Sequence, residues 1–301
     1  MRLRLWKLPA LAVALVAPIM ADSFFFSTGS PDGKMAAASQ PSAGGKIEIE
    51  TGDDFVLTSQ IQISGASFAG LLTGGATLSN IADVRIEIYR VFPNDSDVNR
   101  TSGPPTFTTP DVPTRVNSPS DVEFADRDSA DGNLSFTPAI VNASFTAANS
   151  VAPGGIHPKP GNNTGGDGAV TGEEVQFNVL FTTPFDLPAD HYFFVPQVEV
   201  STAGGEFYWL SAPRPIVLPG TAFPPGFTDL QAWTRDENLA PDWLRIGTDI
   251  VGGQPAPTFN MAFSLSGDTV PSTVPEPASY VLFSSVLLTI ASIARKKFPR
   301  A

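Results

Sequence analysis

The sequence predicts an all-β protein whose body is an antiparallel β-sandwich similar to a jelly roll. Apolar and polar side chains alternate along Asp83–Phe92, and the pattern recurs along Val175–Phe181. A period of two, rich in β-branched and aromatic residues, is typical of half-buried antiparallel strands. Stretches with the helical period of 3.6 are almost absent. The chain also has 22 phenylalanines, enough to fill the layer between two facing sheets.

Other segments complete the predicted body, which we place at residues 22–266. The remaining strand-like segments are Lys46–Glu50, Phe55–Ile63, Ser67–Leu72, Leu134–Phe136, Ala143–Thr146, Tyr192–Val200, Glu206–Ser211 and Thr258–Ser266. Asp53 and Asp54 are predicted to form a turn before a strand. Two short helical turns are expected at Thr228–Trp233 and Pro241–Ile246, because Pro241 suits a first helical position. A linker, residues 267–274, follows the body.

Composition excludes several kinds of chemistry and several partners. The chain has no cysteine, which rules out disulfides, thiolate metal sites and cysteine nucleophiles. The formal net charge is −12, and the cations are concentrated near the two ends. The middle is therefore more acidic still, and it would repel nucleic acid and anionic lipid. Divalent cations or a neutral polysaccharide are the partners that suit such a body.

The first 21 residues predict a secretory signal peptide. Arg2, Arg4 and Lys7 form a basic start, and an apolar stretch follows at residues 8–19. That stretch is short for a membrane span but has the length of a signal-peptide centre. The small residue Ala21 precedes Asp22, which indicates cleavage between these two residues.

The C-terminal segment, residues 275–300, predicts a membrane anchor with a recognition motif in front of it. Ala278–Ala294 is uncharged and apolar, about 25 Å long as a helix, near the lower limit for one transmembrane span. A basic cluster of Arg295, Lys296 and Lys297 follows and would hold the C-terminus in the cytoplasm. Both ends therefore place the body outside the inner membrane.

Pro275, Glu276 and Pro277 precede this span as a stiff, non-helical segment that a protease can hold. Together with the span and the basic cluster, they closely resemble the sorting signal of the PEP-CTERM proteins of Gram-negative-type bacteria. The resemblance covers Val274–Arg300. It implies a membrane-embedded exosortase as partner, transient anchoring in the inner membrane, and delivery to the cell surface or an exopolysaccharide-rich matrix. It implies no catalytic residue in the body.

The best candidate for a metal site is Ca²⁺ held by Asp126, Asp128 and Asp131. Several carboxylates in a glycine-containing turn can supply the oxygen ligands that Ca²⁺ prefers. The spacing differs by one residue from an EF-hand loop, and the alternative is a solvated turn. No other cofactor is expected.

Catalytic and sugar-binding groups are weaker candidates. His157 and His191 lack the sequence context of a catalytic triad, and we interpret them as loop or strand-edge residues. The acidic side chains considered for glycoside hydrolysis are Glu173, Glu174, Glu199 and Glu206. The aromatic side chains considered for stacking on sugars, which we expect in the core instead, are Trp209, Trp233, Trp243, Tyr192 and Tyr208.

The sequence thus predicts a non-enzymatic surface protein with a structural or adhesive role near exopolysaccharide. Two alternatives remain open. A carbohydrate-binding module would present a flat aromatic face, and a secreted carbohydrate-active enzyme would present two carboxylates across a cleft.

Overall fold

The computed structural model describes residues 21–99, 115–156 and 163–270. One compact unit, Asp22–Thr269, contains all of the described secondary structure. Several predictions lie outside the described residues. They concern the signal segment before Ala21, the motif Pro275–Pro277, the apolar segment 278–294, the cluster Arg295–Lys297, and His157. Within the described part, no helix has the length and apolar character needed to span a bilayer.

Two sheets contain the fifteen strands found among the described residues. The larger sheet comprises β1 (Ser23–Ser27), β2 (Met35–Ala38), β4 (Ile61–Leu72), β7 (Leu134–Ala147), β8 (Asn149–Val151), β9 (Val170–Leu187), β11 (Phe207–Ala212), β14 (Asn260–Met261) and β15 (Phe263–Thr269). The smaller sheet comprises β3 (Ile49–Leu57), β5 (Ile81–Arg90), β6 (Ala125–Asp128), β10 (Asp190–Val200), β12 (Trp233–Asp236) and β13 (Leu244–Arg245). Short 3₁₀ turns occur at Leu78–Asn80 and Pro153–Gly155, and a π-helical turn at Ile246–Val251.

The strand order places β4 inside the larger sheet, and β3 and β10 at the centre of the smaller sheet. The larger sheet runs β1-β15-β4-β11-β2-β8, with β9 and then β7 attached to β4. The smaller sheet runs β13-β12-β3-β10-β5-β6. Every pairing between strands is antiparallel except β2 with β8. The predicted all-β, antiparallel class is confirmed, and the likeness to a jelly roll stays a prediction.

The main core lies between the two sheets and is rich in phenylalanine. Phe194 of the smaller sheet stacks on Phe263 of the larger sheet, with ring centroids 5.0 Å apart. Phe68 also packs near Phe194, and its own ring stacks on Phe177 at 4.7 Å. Burying such large rings supplies much of the apolar area that stabilises the fold. The predicted role of phenylalanine between the sheets is therefore confirmed.

A second, smaller core covers the opposite face of the smaller sheet. Tyr89, Phe193 and Val195 point away from the main core, because neighbouring strand residues alternate between faces. They pack against Leu230, Trp233 and Trp243, which belong to β12 and to the segments on either side of it. Both faces of the smaller sheet are therefore buried here, which lets charged groups on its strands be enclosed.

The structure corrects several predicted boundaries. Phe55–Ile63 is not one strand but the end of β3, a turn, and the start of β4. The segments predicted at Leu134–Phe136 and Ala143–Thr146 are a single strand, β7. The last strand continues to Thr269, so the first part of the predicted linker is strand.

Both predicted helical turns are wrong. Trp233 opens β12 and pairs with Gly52 of β3, while Leu244 and Arg245 form β13 against β12. Pro241 lies in the turn before β13. Pairing with a neighbouring strand, a tertiary effect, overrides the local preference in both segments.

Candidate functional site

The three aspartates proposed for calcium lie on β6 and the turn after it. Asp128 is buried, and its Oδ2 accepts hydrogen bonds from Arg85 Nε at 3.2 Å and Nη2 at 3.1 Å. Its Oδ1 accepts the Ala130 N–H at 2.7 Å, whereas Asp131 is exposed. Across the described ranges, no group of three or more acidic or histidine side chains could hold a metal ion. Both carboxylate oxygens of Asp128 therefore already accept hydrogen bonds, from Arg85 and from a backbone amide. Calcium binding by these three aspartates stays a prediction, and this geometry does not support it.

The aromatic residues considered for sugar stacking are core residues. Three tryptophans, Trp209, Trp233 and Trp243, are at most 2% exposed. Tyr192 and Tyr208 are also buried. Their expected place in the core is confirmed, and none of the five presents a ring to a ligand.

The glutamates considered for glycoside hydrolysis lie in different parts of the fold and have different partners. Glu173 and Glu174 are consecutive in β9, so their side chains point to opposite faces. Glu174 accepts a hydrogen bond from Asn142. Glu206 forms an ion pair with Lys46 at 3.4 Å, and Glu199 lies in the other sheet, on β10. Adjacent Glu173 and Glu174 therefore do not form a facing pair of the kind that glycoside hydrolysis needs.

Asp53 and Asp54 do not form the predicted turn. Both lie inside β3, and each is at most 1% exposed. Asp53 Oδ2 accepts the Met261 N–H at 2.7 Å, while its Oδ1 is buried without a hydrogen-bond partner among the described residues. Burial, and then the charge of Asp54, raise the pKa of Asp53 well above its usual value. The strand thus carries two carboxyl groups, one toward each of its faces.

Asp54 forms a close pair with His191 of β10. The distance from Asp54 Oδ2 to His191 Nε2 is 2.5 Å, and the Leu230 N–H also donates to the carboxyl group at 3.1 Å. Burial raises the pKa of Asp54 and lowers the pKa of His191. Burial therefore favours the neutral form of each group in this pair.

Arg214 secures residues 229–243, which cover this pair and which we call the covering segment. Its Nη1 donates to Asp229 Oδ1 at 2.8 Å and to Asn260, and its Nη2 donates to the Asp229 carbonyl oxygen at 2.6 Å. Asn260 Nδ2 in turn donates to Asp229 Oδ2 at 3.1 Å. These bonds hold Leu230 in place to donate to Asp54, because Leu230 follows Asp229 directly in the chain.

A second buried network lies on the same sheet around Glu50. Arg235 Nη2 donates to Glu50 Oε1 at 2.8 Å, its Nε donates to Oε2, and Tyr89 Oη donates to Oε1 at 2.5 Å. Burial opposes ionisation of Glu50, but the charge and hydrogen bonds of Arg235 lower its pKa overall. Burial and then the charge of Glu50 raise the pKa of nearby Glu87 well above its usual value. The surroundings of Glu50 therefore favour its ionised form, whereas those of Glu87 favour its protonated form.

Both networks fasten the covering segment to β3 and neighbouring strands. Imidazole next to carboxylate is two-thirds of a catalytic triad, which also needs a nucleophile beside the histidine. Among the described residues, no serine or threonine hydroxyl hydrogen-bonds to His191, and the rings of Phe223 and Phe227 pack against it at 6.2 and 6.1 Å. The arrangement is thus suited to holding the fold rigid and to making its stability depend on pH.

Sequence reasoning missed most members of these networks. Glu87 looked like an ordinary solvent-facing residue opposite the apolar face of its strand. For Asp53 and Asp54, the available signal was that two consecutive aspartates stand next to Phe55, where a strand was predicted. Within a strand their side chains face opposite sides, and one of them would be exposed unless a further layer covered that side. The covering segment that buries Glu87 has no periodic pattern from which its position could be read.

Comparisons with protein-family models, with curated proteins and with solved structures found no match.

Proposed function

We propose that this chain is exported, anchored briefly in the inner membrane, and processed by an exosortase that recognises the motif Pro275–Pro277. Its body then serves a structural or adhesive role in an exopolysaccharide-rich envelope, without catalysis. The two terminal sequence patterns support the route, and the buried polar networks support a rigid body.

The position of the folded unit carries this proposal. The compact unit begins at Asp22, the residue after the expected cleavage site, and ends at Thr269, before Pro275. Strand β1 pairs with β15 over Ser23–Ser27 and Ser264–Asp268. Asp22 N donates to Thr269 Oγ1 at 2.8 Å, and Thr269 N donates to the Asp22 carbonyl oxygen at 2.8 Å. Processing at both expected places would therefore leave every described strand intact.

Replacing Pro275, Glu276 and Pro277 by alanine tests the route in a host that has an exosortase. We expect the variant to accumulate in the inner membrane at the precursor mass, because the protease loses the stiff segment that it recognises. Immunoblots of membrane, surface and matrix fractions measure this.

The matched control for the sorting variant is Pro271→Ala, which changes a proline upstream of the motif. It should be processed like the wild type. Equal surface delivery of the triple variant, at the mature mass, would refute sorting by this motif.

A further inference from the structure

The outer face of the larger sheet has an unusual surface for so acidic a chain. Five neighbouring strands form this part of the sheet: β1, β15, β4, β9 and β7. Alternate residues of these strands, such as Phe26, Phe263 and Phe177, are buried in the main core. The intervening residues point away from the core. This outer face therefore presents one side chain in two from five neighbouring strands.

Strand register places these side chains in rows that cross all five strands. The first row is Ser27, Ser264, Ser67, Asn178 and Thr137. The second row is Phe25, Ser266, Gly65, Leu180 and Ser135. Five strands at their usual separation of about 4.8 Å give each row a length of about 19 Å. We call these ten residues the neutral face.

The neutral face has no charged side chain, although the chain has a net charge of −12. Acidic groups on this side of the sheet appear in the next row toward one end, where Asp268 aligns with Gln62 and Asp186. Hydroxyl and amide groups dominate instead, and Ser67 Oγ lies 2.7 Å from Ser264 Oγ. Such groups both donate and accept hydrogen bonds.

A depression opens at the β1 end of the neutral face. It has a volume of about 180 Å³, and its lining includes Ser27, Ser67 and Ser264 of the first row together with Phe25, Gln176 and the loop residues 29–31. Phe25 is 59% exposed, and Leu180 is exposed to the same degree. Gly65 lies between them in the second row and is buried, so the surface is lower there.

We infer that the neutral face binds a neutral polysaccharide chain lying across the strands. Sugar hydroxyls match rows of hydroxyl and amide groups, and an exposed aromatic ring offers a surface for the apolar face of a sugar. An anionic polymer would find no cation here and would be repelled by the acidic body. A stable protein interface would need more large apolar anchors than Phe25 and Leu180. The inference rests on the proposed adhesive role, to which it adds a surface and a partner.

The test uses the full chain in mild detergent and affinity electrophoresis through gels containing soluble hydroxyethylcellulose, dextran or polygalacturonate. We expect retardation by a neutral polymer and none by anionic polygalacturonate. Phe25→Ala should weaken binding about tenfold, the loss typical of one truncated aromatic anchor. Asn178→Asp should weaken it too, because it introduces a charge into the first row.

Two matched variants control for effects elsewhere on the surface. Phe227→Ala removes a phenylalanine that is 44% exposed but lies beside His191, and Asn94→Asp adds the same charge on a distant turn. Both should bind like the wild type. The inference would be overturned if neither neutral polymer retarded the protein, or if the control variants lost as much binding as the face variants. It would also be overturned if the protein self-associated with rising concentration and Phe25→Ala abolished this association. Sorting would remain supported in each case, because processing of Pro275–Pro277 is measured separately.

Discussion

Arg235 shows how one side chain joins two layers of this protein. Its guanidinium group lies 4.3 Å from the ring centre of Trp243 and 5.2 Å from that of Tyr89, while its nitrogens bond Glu50. The side chain is only 5% exposed. A buried ion pair gains little over an apolar replacement of both partners, but removing one partner strands the other charge in a medium of low dielectric constant.

Substituting Arg235→Ala should lower the free energy of unfolding by about 3–5 kcal/mol, since Glu50 would lose its counter-ion. The control is Lys34→Ala, which breaks the ion pair that the exposed Lys34 side chain makes with Asp32. That change should cost no more than about 1 kcal/mol. Urea unfolding followed by tryptophan fluorescence measures both, and similar small losses for the two variants would show that the Glu50 network contributes little.

At the scale of the element, β1 shows how packing against the core holds a strand that begins just after the expected cleavage site. Phe26 points inward and contacts the rings of Phe55, Phe223 and Phe263. Phe25, its neighbour in the chain, points outward on the neutral face. The same short strand therefore contributes to the core through one side chain and to the proposed binding surface through the next.

The variants Phe26→Ala and Phe25→Ala separate these two contributions. Phe26→Ala leaves a cavity in the core and should cost about 3–5 kcal/mol of stability. Phe25→Ala should change stability by no more than about 0.5 kcal/mol, because its ring is largely in solvent. Midpoints of guanidinium unfolding compare the two, and an equal loss would contradict the assigned orientation of β1.

The edge strand β7 has its own protection against unwanted pairing. Its fourteen residues, Leu134–Ala147, include no charged residue, and most of them are exposed. An edge of this kind would usually invite another strand. Pro138 lacks an N–H group, and the register with β9 shifts twice, between Ile140 and Asn142 and again before Phe145. These interruptions make a continuous pairing along the edge unfavourable.

At the scale of the whole molecule, buried carboxyl groups link stability to pH. Burial raises the pKa of Glu87, Asp53 and Asp54 in the folded chain. In the unfolded chain these groups titrate near about pH 4. Between these values the folded state binds more protons than the unfolded state, so stability falls as the pH rises. Repulsion within so acidic a chain acts in the same direction.

We therefore expect the melting temperature to decrease from about pH 6.5 to about pH 8, because His191, whose pKa is lowered to about 4, acts in the opposite direction only below this range. Glu87→Gln should make this decrease smaller, because glutamine stays uncharged in both states. The exposed residue Glu237 provides the control, and Glu237→Gln should keep the wild-type slope. Calorimetry across this range measures the effect, and an unchanged slope in Glu87→Gln would show that Glu87 does not contribute.

The sequence by itself determined the all-β class, the antiparallel pairing and the apolar faces of strands such as β5 and β9. Period-two alternation is a local property, and burying one face of each strand needs little further information. Its sorting signals likewise depend on short contiguous segments, and they stay predictions.

Only the tertiary structure decided which polar residues act together. Asp54 meets His191, and Glu50 meets Arg235, through contacts between residues more than a hundred positions apart. The five-strand register that assembles the neutral face is equally non-local, since Ser27 and Thr137 share a row only through the strands between them. Such contacts depend on strand order and on a covering segment without periodicity, and the pattern of side chains along the chain encodes neither.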